Sequence, residues 1–240
     1  MNFSFIVNIK KYILDIIFPI YCLSCGQEGE WVCPVCINKI SIENDSSCPK
    51  CHKVSPNNSY CQECEITSKM NGIIIASSYE NKLLRKIINN FKYKYIKDLM
   101  YPLGNILCQR LESWNKETFD NFIMIPIPLH KKKQKIRGFN QAELLAKAVN
   151  IKLGIQIEEN IIKRIKHTPA QAKLSPLKRR KNIKNAFKIT SNKTKDFFHN
   201  KKILLVDDVC TTSSTLEECA KEISKLRPRE IWSLVLARGK

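Results

Sequence analysis

Two hydrophobic periods alternate along most of this chain. GIIIASSY (72–79) packs apolar residues at a strand's density, and NFIMIPIP (121–128) is an apolar run ended by prolines that cannot continue a β-ladder. KKILLVDD (201–208) and EIWSLVLAR (230–238) are two further buried strands by the same pattern. Between them the period lengthens to that of a helix. NKLLRKIINNFKYKY (81–95), a segment near 98–114, QAELLAKAVNIKLG (141–154) with its glycine stop, and SSTLEECAKEISKL (213–226) all read this way. Strands alternating with helices predict an α/β class built on a mostly parallel sheet with helices on both faces. The expected division is a docking helix over residues 1–20, a cysteine-rich module over 21–67 and an α/β domain over 72–240.

The N-terminal MNFSFIVNIKKYILDIIF has the look of a leader, but Lys10, Lys11 and Asp15 interrupt its apolar part. Ile6, Ile9, Ile13 and Ile17 recur at helical spacing, which predicts the short docking helix. No apolar run reaches the roughly 20 residues of a membrane span. The expectation is a cytoplasmic protein.

Eight of the eleven cysteines fall in four Cys-x-x-Cys pairs: Cys22/Cys25, Cys33/Cys36, Cys48/Cys51 and Cys61/Cys64. A two-residue gap lets a tight knuckle aim both thiolates at one ion, and tetrahedral zinc takes four ligands. The spacing therefore predicts two Cys₄ zinc sites. Sequential pairing needs only short loops and is preferred, with cross-braced pairing (first with third, second with fourth) as the alternative. Filled by four thiolates, such sites have no open position for water or substrate and are structural. His52 has no vacancy to fill. Cys108, Cys210 and Cys219 lie outside the pattern and read as small buried residues.

Net charge is +19, and its distribution says more than its size. Residues 131–188 carry 17 basic side chains against three acidic ones, Glu143, Glu158 and Glu159, a bias that fits a polyanionic partner better than even solvation does. Lys131, Lys132, Lys133 and Lys135 lead that stretch, and Phe91-Lys92-Tyr93-Lys94-Tyr95 interleaves cations with rings on which bases could stack. The competing reading gives Phe91 and one tyrosine to helix packing.

The chemistry-bearing stretch is ILLVDDVCTTSSTLEECAKEI (203–223). In an open parallel sheet, ligands sit beyond the carboxyl ends of strands. Asp207 and Asp208 fall there, followed by hydroxyls at the start of a helix whose first N–H groups lack internal partners. Phosphate on the hydroxyls and a vicinal diol on the carboxylates is one reading; turn-forming aspartates and a serine N-cap is the other. There is no GxxxxGK[ST] and no GxGxxG.

LLVDDVCTTSST resembles the phosphoribosyl pyrophosphate loop of type I phosphoribosyltransferases. The cysteine pairs, LRKIINNFKYK, IPIPLHKKKQKIRGFNQAELLA, KRIKHTPAQAKLSPLKRRKNIKNAF and LVLARG together resemble one branch of that superfamily, the ComF family of competence-associated proteins. The resemblance implies a type I phosphoribosyltransferase-like domain after a double zinc ribbon. It assigns Asp207 and Asp208 to the ribose hydroxyls. The phosphate-binding segment is Val209, Cys210, Thr211, Thr212, Ser213, Ser214 and Thr215, whose hydroxyls from Thr211 to Thr215 cup the 5′-phosphate. Arg137, Gly138 and Asn140 of segment 126–140 form a pyrophosphate-side loop. A mobile loop over 164–185 offers Arg164, Thr168, Gln171, Arg179, Arg180 and Asn182. Mg²⁺ accompanies such a ligand by bridging phosphate oxygens. Where the family pattern has TTG, this chain has Thr211-Thr212-Ser213, which puts a Cβ where close approach to phosphate is needed.

Two functions follow from the resemblance. One is a DNA-handling protein of natural transformation that binds phosphoribosyl pyrophosphate and single-stranded DNA and works with a competence helicase or DNA-processing protein. The other is an active phosphoribosyltransferase, with Asp207, Asp208 and Arg137 as its catalytic residues and an acceptor that the sequence does not name.

Overall fold

The computed structural model describes residues 18–43, 46–114, 119–166, 182–193 and 195–239. The predicted N-terminal helix falls almost wholly outside the described residues. The chain divides into two compact units, Met1–Ser41 and Ile42–Lys240, so the boundary falls between the second and third cysteine pairs.

The smaller unit is organised by its cysteines. Cys22 opens a tight turn closed by Gly26 N–H to Cys22 O (3.0 Å), and Cys33 precedes the single-turn helix α1 (Pro34–Ile37), where Cys36 and Ile37 N–H both return to Cys33 O at 3.0 Å.

The larger unit is built on a parallel sheet of five strands: β1 (Gly72–Ser78), β2 (Phe122–Pro126), β3 (Gln156–Ile157), β6 (Lys202–Cys210) and β7 (Glu230–Arg238), in the order β1-β7-β6-β2-β3. The longest strands, β6 and β7, pair from Lys202↔Glu230 to Cys210↔Arg238. Their apolar runs are buried on both faces, as a parallel sheet covered twice requires. Ile203 and Leu205 of β6 join one core with Leu216, Cys219, Ala220 and Ile223 of α8 (Ser214–Ile223). Alternation turns Leu204 and Val206 to the opposite face. The helices packed there are α4 (Met100–Trp114) and α6 (Gln141–Leu153), which also pack on each other. The predicted α/β class, with helices on both faces, is the observed one.

Helix α3 (Lys82–Tyr93) forms because Leu84, Ile87, Ile88 and Phe91 fall on one stripe and are fully buried, while Asn81 caps its start by accepting from Leu84 N–H at 3.0 Å. Two features depart from the sequence reading. Segment 131–137 is a helix, α5 (Lys131–Arg137), rather than loop: His130 caps it through Nδ1, and Gly138 ends it in left-handed backbone (φ 68°). A run as polar as KKKQKIR has no apolar stripe to announce it. Second, β4 (Ile162–Arg164) and β5 (Phe187–Ile189) form a separate antiparallel pair that brackets the expected mobile loop.

The second cysteine cluster is part of this unit's core. Cys48, Tyr60, Cys64 and Met70 belong to the same buried cluster as the sheet and α8. The loop between Cys51 and Cys61 is fastened to the first strand by a turn (Pro56–Asn58) on which Arg110 of α4 converges. That buried guanidinium donates to Asn58 Oδ1, to Ile75 O at 3.0 Å and to Ser113 Oγ at 3.1 Å. Gly72 lies at this junction. A Cβ there would stand 2.3 Å from Asn58 O and 2.5 Å from the Trp232 ring. Gly72→Ala should therefore cost about 2 kcal/mol or more, as overpacking against backbone does. A urea titration should show the midpoint falling with its slope unchanged.

Candidate metal centres and a candidate phosphate site

Each cysteine set converges on a point. Cys22, Cys25, Cys33 and Cys36 bring their Sγ atoms within 4.8 Å of one another, and so do Cys48, Cys51, Cys61 and Cys64. Pairing is thus sequential. The Cys25–Cys33 and Cys51–Cys61 sulfurs stand 3.7 and 3.5 Å apart. Tetrahedral Zn–S bonds of about 2.3 Å require about 3.8 Å between sulfurs, whereas a disulfide needs about 2.05 Å. The donor set therefore fits zinc. Burial raises the Cys22 and Cys48 thiols, but backbone N–H groups of the knuckles outweigh it and pull both down to about 6, toward the thiolate a metal takes.

Strand β6 runs on through the acidic pair to Cys210, so Asp207 and Asp208 are the sixth and seventh residues of a nine-residue strand. Val209 and Cys210 are ladder residues, paired with Ala237 and Arg238. Asp208 is buried and lies in an ion pair with Lys92, Nζ to Oδ1 2.8 Å, with both side chains nearly covered. Lys92, expected on a nucleic-acid track, is thus turned inward from the last turn of α3. Burial, then the charge of Asp208, push the Asp207 carboxyl up to about 7 against the opposing pull of Asp208 N–H, Lys92 and Arg164. Arg164, at the end of β4, stacks 5.5 Å over the Phe187 ring, and its value is lowered by burial against the opposing pull of Cys219 and Asp207.

The hydroxyl loop follows. Ser213 holds left-handed backbone (φ 54°, ψ 3°), the conformation that glycine adopts without strain, and its side chain makes no cap bond to α8. Thr212 and Ser214 hydroxyls meet at 2.9 Å. Thr211, Thr212, Ser213 and Ser214 line a cavity of about 820 Å³. The aspartates do not line it, nor a second cavity of about 460 Å³ on the Thr211 and Arg238 side. Thr215 is half-buried in the first turn of α8.

The pyrophosphate-side residues have structural partners. Arg137 donates to Gln141 Oε1 at 2.9 Å and lies 5.5 Å over the Tyr93 ring. Asn140, buried, caps α6 through Ala142 N–H (3.1 Å) and donates to Ile127 O (3.1 Å) and Glu143 Oε1 (3.0 Å). Phe139 packs on Phe91 at 5.5 Å. RGFNQ is thus a joint between two helices, and it leaves one buried donor, Gln141 Nε2, unsatisfied. Lys131, Lys132 and Lys135 are exposed, while Lys133 is half-buried and its value is lowered by burial and by the Arg164 and Arg137 charges. Lys94 and Tyr93 are exposed; the Tyr95 hydroxyl donates to Ile136 O at 2.8 Å. Asn182 is half-buried; Thr168, Gln171, Arg179 and Arg180 lie outside the described residues.

Sequence reasoning missed the far wall of the larger cavity. Lys50 and Tyr60 of the second cysteine cluster line it, with Lys184, Lys221 and Arg238. These residues meet across as many as 188 positions, and no local period signals that. Only the closing LARG, already part of the resemblance, pointed to Arg238.

The raised value of Asp207 has a consequence for stability. Its folded value of about 7 lies above the roughly 3.9 of an unfolded aspartate, so the native state holds a proton that the unfolded chain has lost. That contribution is complete below about pH 4 and is lost as pH rises through about 7. Urea melts from pH 5 to pH 8 should show stability falling with pH, and Asp207→Asn should flatten the fall.

The double zinc ribbon family matches residues 13–65. Competence protein F of Haemophilus influenzae is 45% identical over 116 residues, covering 48% of this chain and 50% of that protein, so the match spans half the relative's length. The DNA utilization protein YhgH of Escherichia coli O157:H7 is 27% identical over 80% of this chain and 84% of its own. A hypoxanthine phosphoribosyltransferase from Staphylococcus aureus superposes with a TM-score of 0.34 at 12% identity, over 61% of this chain and 65% of that one. With the two Cys₄ centres and the parallel sheet in place, these sequence relationships support the resemblance to the ComF family of competence-associated proteins.

Proposed function

We propose that this protein handles single-stranded DNA in natural transformation and binds a phosphoribosyl ligand, phosphoribosyl pyrophosphate with Mg²⁺, at the loop after β6. The observation that carries the reading is the cavity of about 820 Å³ lined by Thr211–Ser214 at the carboxyl end of the central strand. Hydroxyls and the first N–H groups of α8 are donors suited to phosphate there. The names of the relatives, one for competence and one for DNA utilization, support the DNA role. Mg²⁺, when bound, would neutralise phosphate oxygens; this chain's part is to hold the ligand.

Binding is favoured over turnover by two features. Asp208 is tied to Lys92, so a ribose diol must displace an ammonium to reach it. Ser213 places a Cβ on a left-handed residue beside the phosphate seat. Calorimetry with phosphoribosyl pyrophosphate and Mg²⁺ should show binding that Thr212→Val weakens, and Ser213→Gly should tighten it by removing a Cβ from beside the phosphate. Absence of heat in the unsubstituted protein retires the ligand site.

For DNA, α5 carries the exposed Lys131, Lys132 and Lys135, and its last turn meets the segment of Tyr93 and Lys94 through Arg137 on the Tyr93 ring and the Tyr95 hydroxyl on Ile136 O, which joins a cationic helix to an exposed ring. Oligothymidylate affinity should fall with salt at a log–log slope of about −0.7 per phosphate neutralised. Changing the three α5 lysines to Gln should shallow that slope by about 2. A salt-independent affinity, or none, argues against the DNA role.

A further inference from the structure

The cavity behind Thr211–Ser214 is shared between two parts of the chain that the sequence separates. One wall is the hydroxyl loop and the start of α8. The other is the second cysteine cluster: Pro49 and Lys50, the two residues between Cys48 and Cys51, line the cavity, as do Tyr60 and Thr67. Lys50 is held there by a short chain of bonds. Its Nζ donates to Thr67 Oγ1 at 2.5 Å, and Thr67 donates onward to Cys64 O at 3.1 Å. Both ends of this chain are fixed by cysteines of one Cys₄ set.

The charge around the cavity has one sign to spare. Its two lining carboxylates are already engaged: Glu217 accepts from the Tyr60 and Ser68 hydroxyls at 3.0 Å, and Glu218 accepts from Asn185 N–H at 2.6 Å. The cations facing the same space are Lys50, Lys184, Lys221 and Arg238, from four separate segments. A single phosphate on the hydroxyl loop does not call for four cations or for a volume near the upper end of the small-ligand range.

We infer that Lys50, presented by the metal knuckle, is a ligand-binding residue that takes a second phosphate of the ligand whose first phosphate sits on Thr211–Ser214. This rests on the proposed phosphate site and extends it. The zinc of the second cluster then does more than fold the ribbon, because it sets the position of a binding side chain. By linkage, whatever ligand affinity the metal confers, the ligand returns as metal affinity.

The test uses the purified zinc-loaded protein and Lys50→Met, an exposed position whose substitution leaves the cysteines intact. Three probes are titrated: ribose 5-phosphate, phosphoribosyl pyrophosphate with Mg²⁺, and a 5′-phosphorylated thymidine dinucleotide. The expected result is that Lys50→Met weakens a two-phosphate probe about tenfold, the worth of one charge-assisted hydrogen bond, while ribose 5-phosphate changes less than twofold. Whichever of the last two probes loses affinity identifies the source of the second phosphate. Release of zinc to a chromogenic chelator should also slow for one of the two equivalents when that probe is present, and Lys50→Met should remove the slowing. Equal losses on all three probes, or none, overturn the assignment of Lys50 while leaving the phosphate site standing. Failure of the unsubstituted protein to bind ribose 5-phosphate takes down the site itself.

Discussion

Two adjacent carboxylates at the buried end of β6 set the terms for everything around them. A charged carboxylate removed from water costs several kcal/mol unless a partner or a proton offsets it, and two side by side cannot both be offset the same way. The structure divides the burden. Asp208 is ion-paired with Lys92, delivered by the last turn of α3, and Asp207 is driven toward its protonated form by burial and by the neighbouring Asp208 charge. Helix α3 must therefore end where it does, and its exit is fixed by Phe91 on Phe139 and by the Tyr95 hydroxyl on α5. What looked like an aromatic track for bases is, in good part, the scaffold that aims one ammonium at one carboxylate.

Most of the architecture was legible because it rests on local periods. The stripe of Leu84, Ile87, Ile88 and Phe91 and the apolar runs of β6 and β7 announce their elements without help from distant residues. The four knuckles were legible for a different reason: thiolates at a two-residue gap have few uses, and sequential pairing needs the shortest loops. Helix α5 was not legible. Its residues are polar but for the exposed Ile136, and its ends depend on His130 Nδ1 and on the left-handed Gly138, which such a run does not distinguish from turn chemistry. The site was legible in half. The hydroxyl loop could be read from residue types and the demand at Ser213 only from the glycine of the family pattern, whereas the Lys92–Asp208 pair joins positions 116 residues apart and obeys no period.

The second cysteine cluster changes how the chain's parts are to be understood. Four knuckles in a row invite the picture of one module carried ahead of a domain. Yet the compact units divide between the two clusters, and the buried core of the sheet takes in Cys48, Tyr60, Cys64 and Met70. Glu217 is the hinge of that union. It stands in the first turn of α8, where a carboxylate is favoured by the helix dipole, and it accepts from Tyr60 and Ser68. Burial and that carboxylate push the Tyr60 hydroxyl well above its ordinary range, so it remains a donor at any physiological pH.

Glu217 also explains why the phosphate seat can be electropositive with acidic residues in its wall. Its carboxylate is held by two hydroxyl donors, and Glu218 and Glu222 accept from Asn185 and Ile189 N–H. Three glutamates of α8 thus hold the residues after the second cysteine cluster on one side and the β5 strand with its approach on the other. Against the two lining carboxylates, Glu217 and Glu218, stand four cations, Lys50, Lys184, Lys221 and Arg238, and the first turn of α8 adds its own positive end. A ligand bound as proposed would meet hydroxyls on one wall and Lys50 on the other, so its shape would be selected by the distance between a helix start and a cysteine knuckle, both of which belong to one buried core.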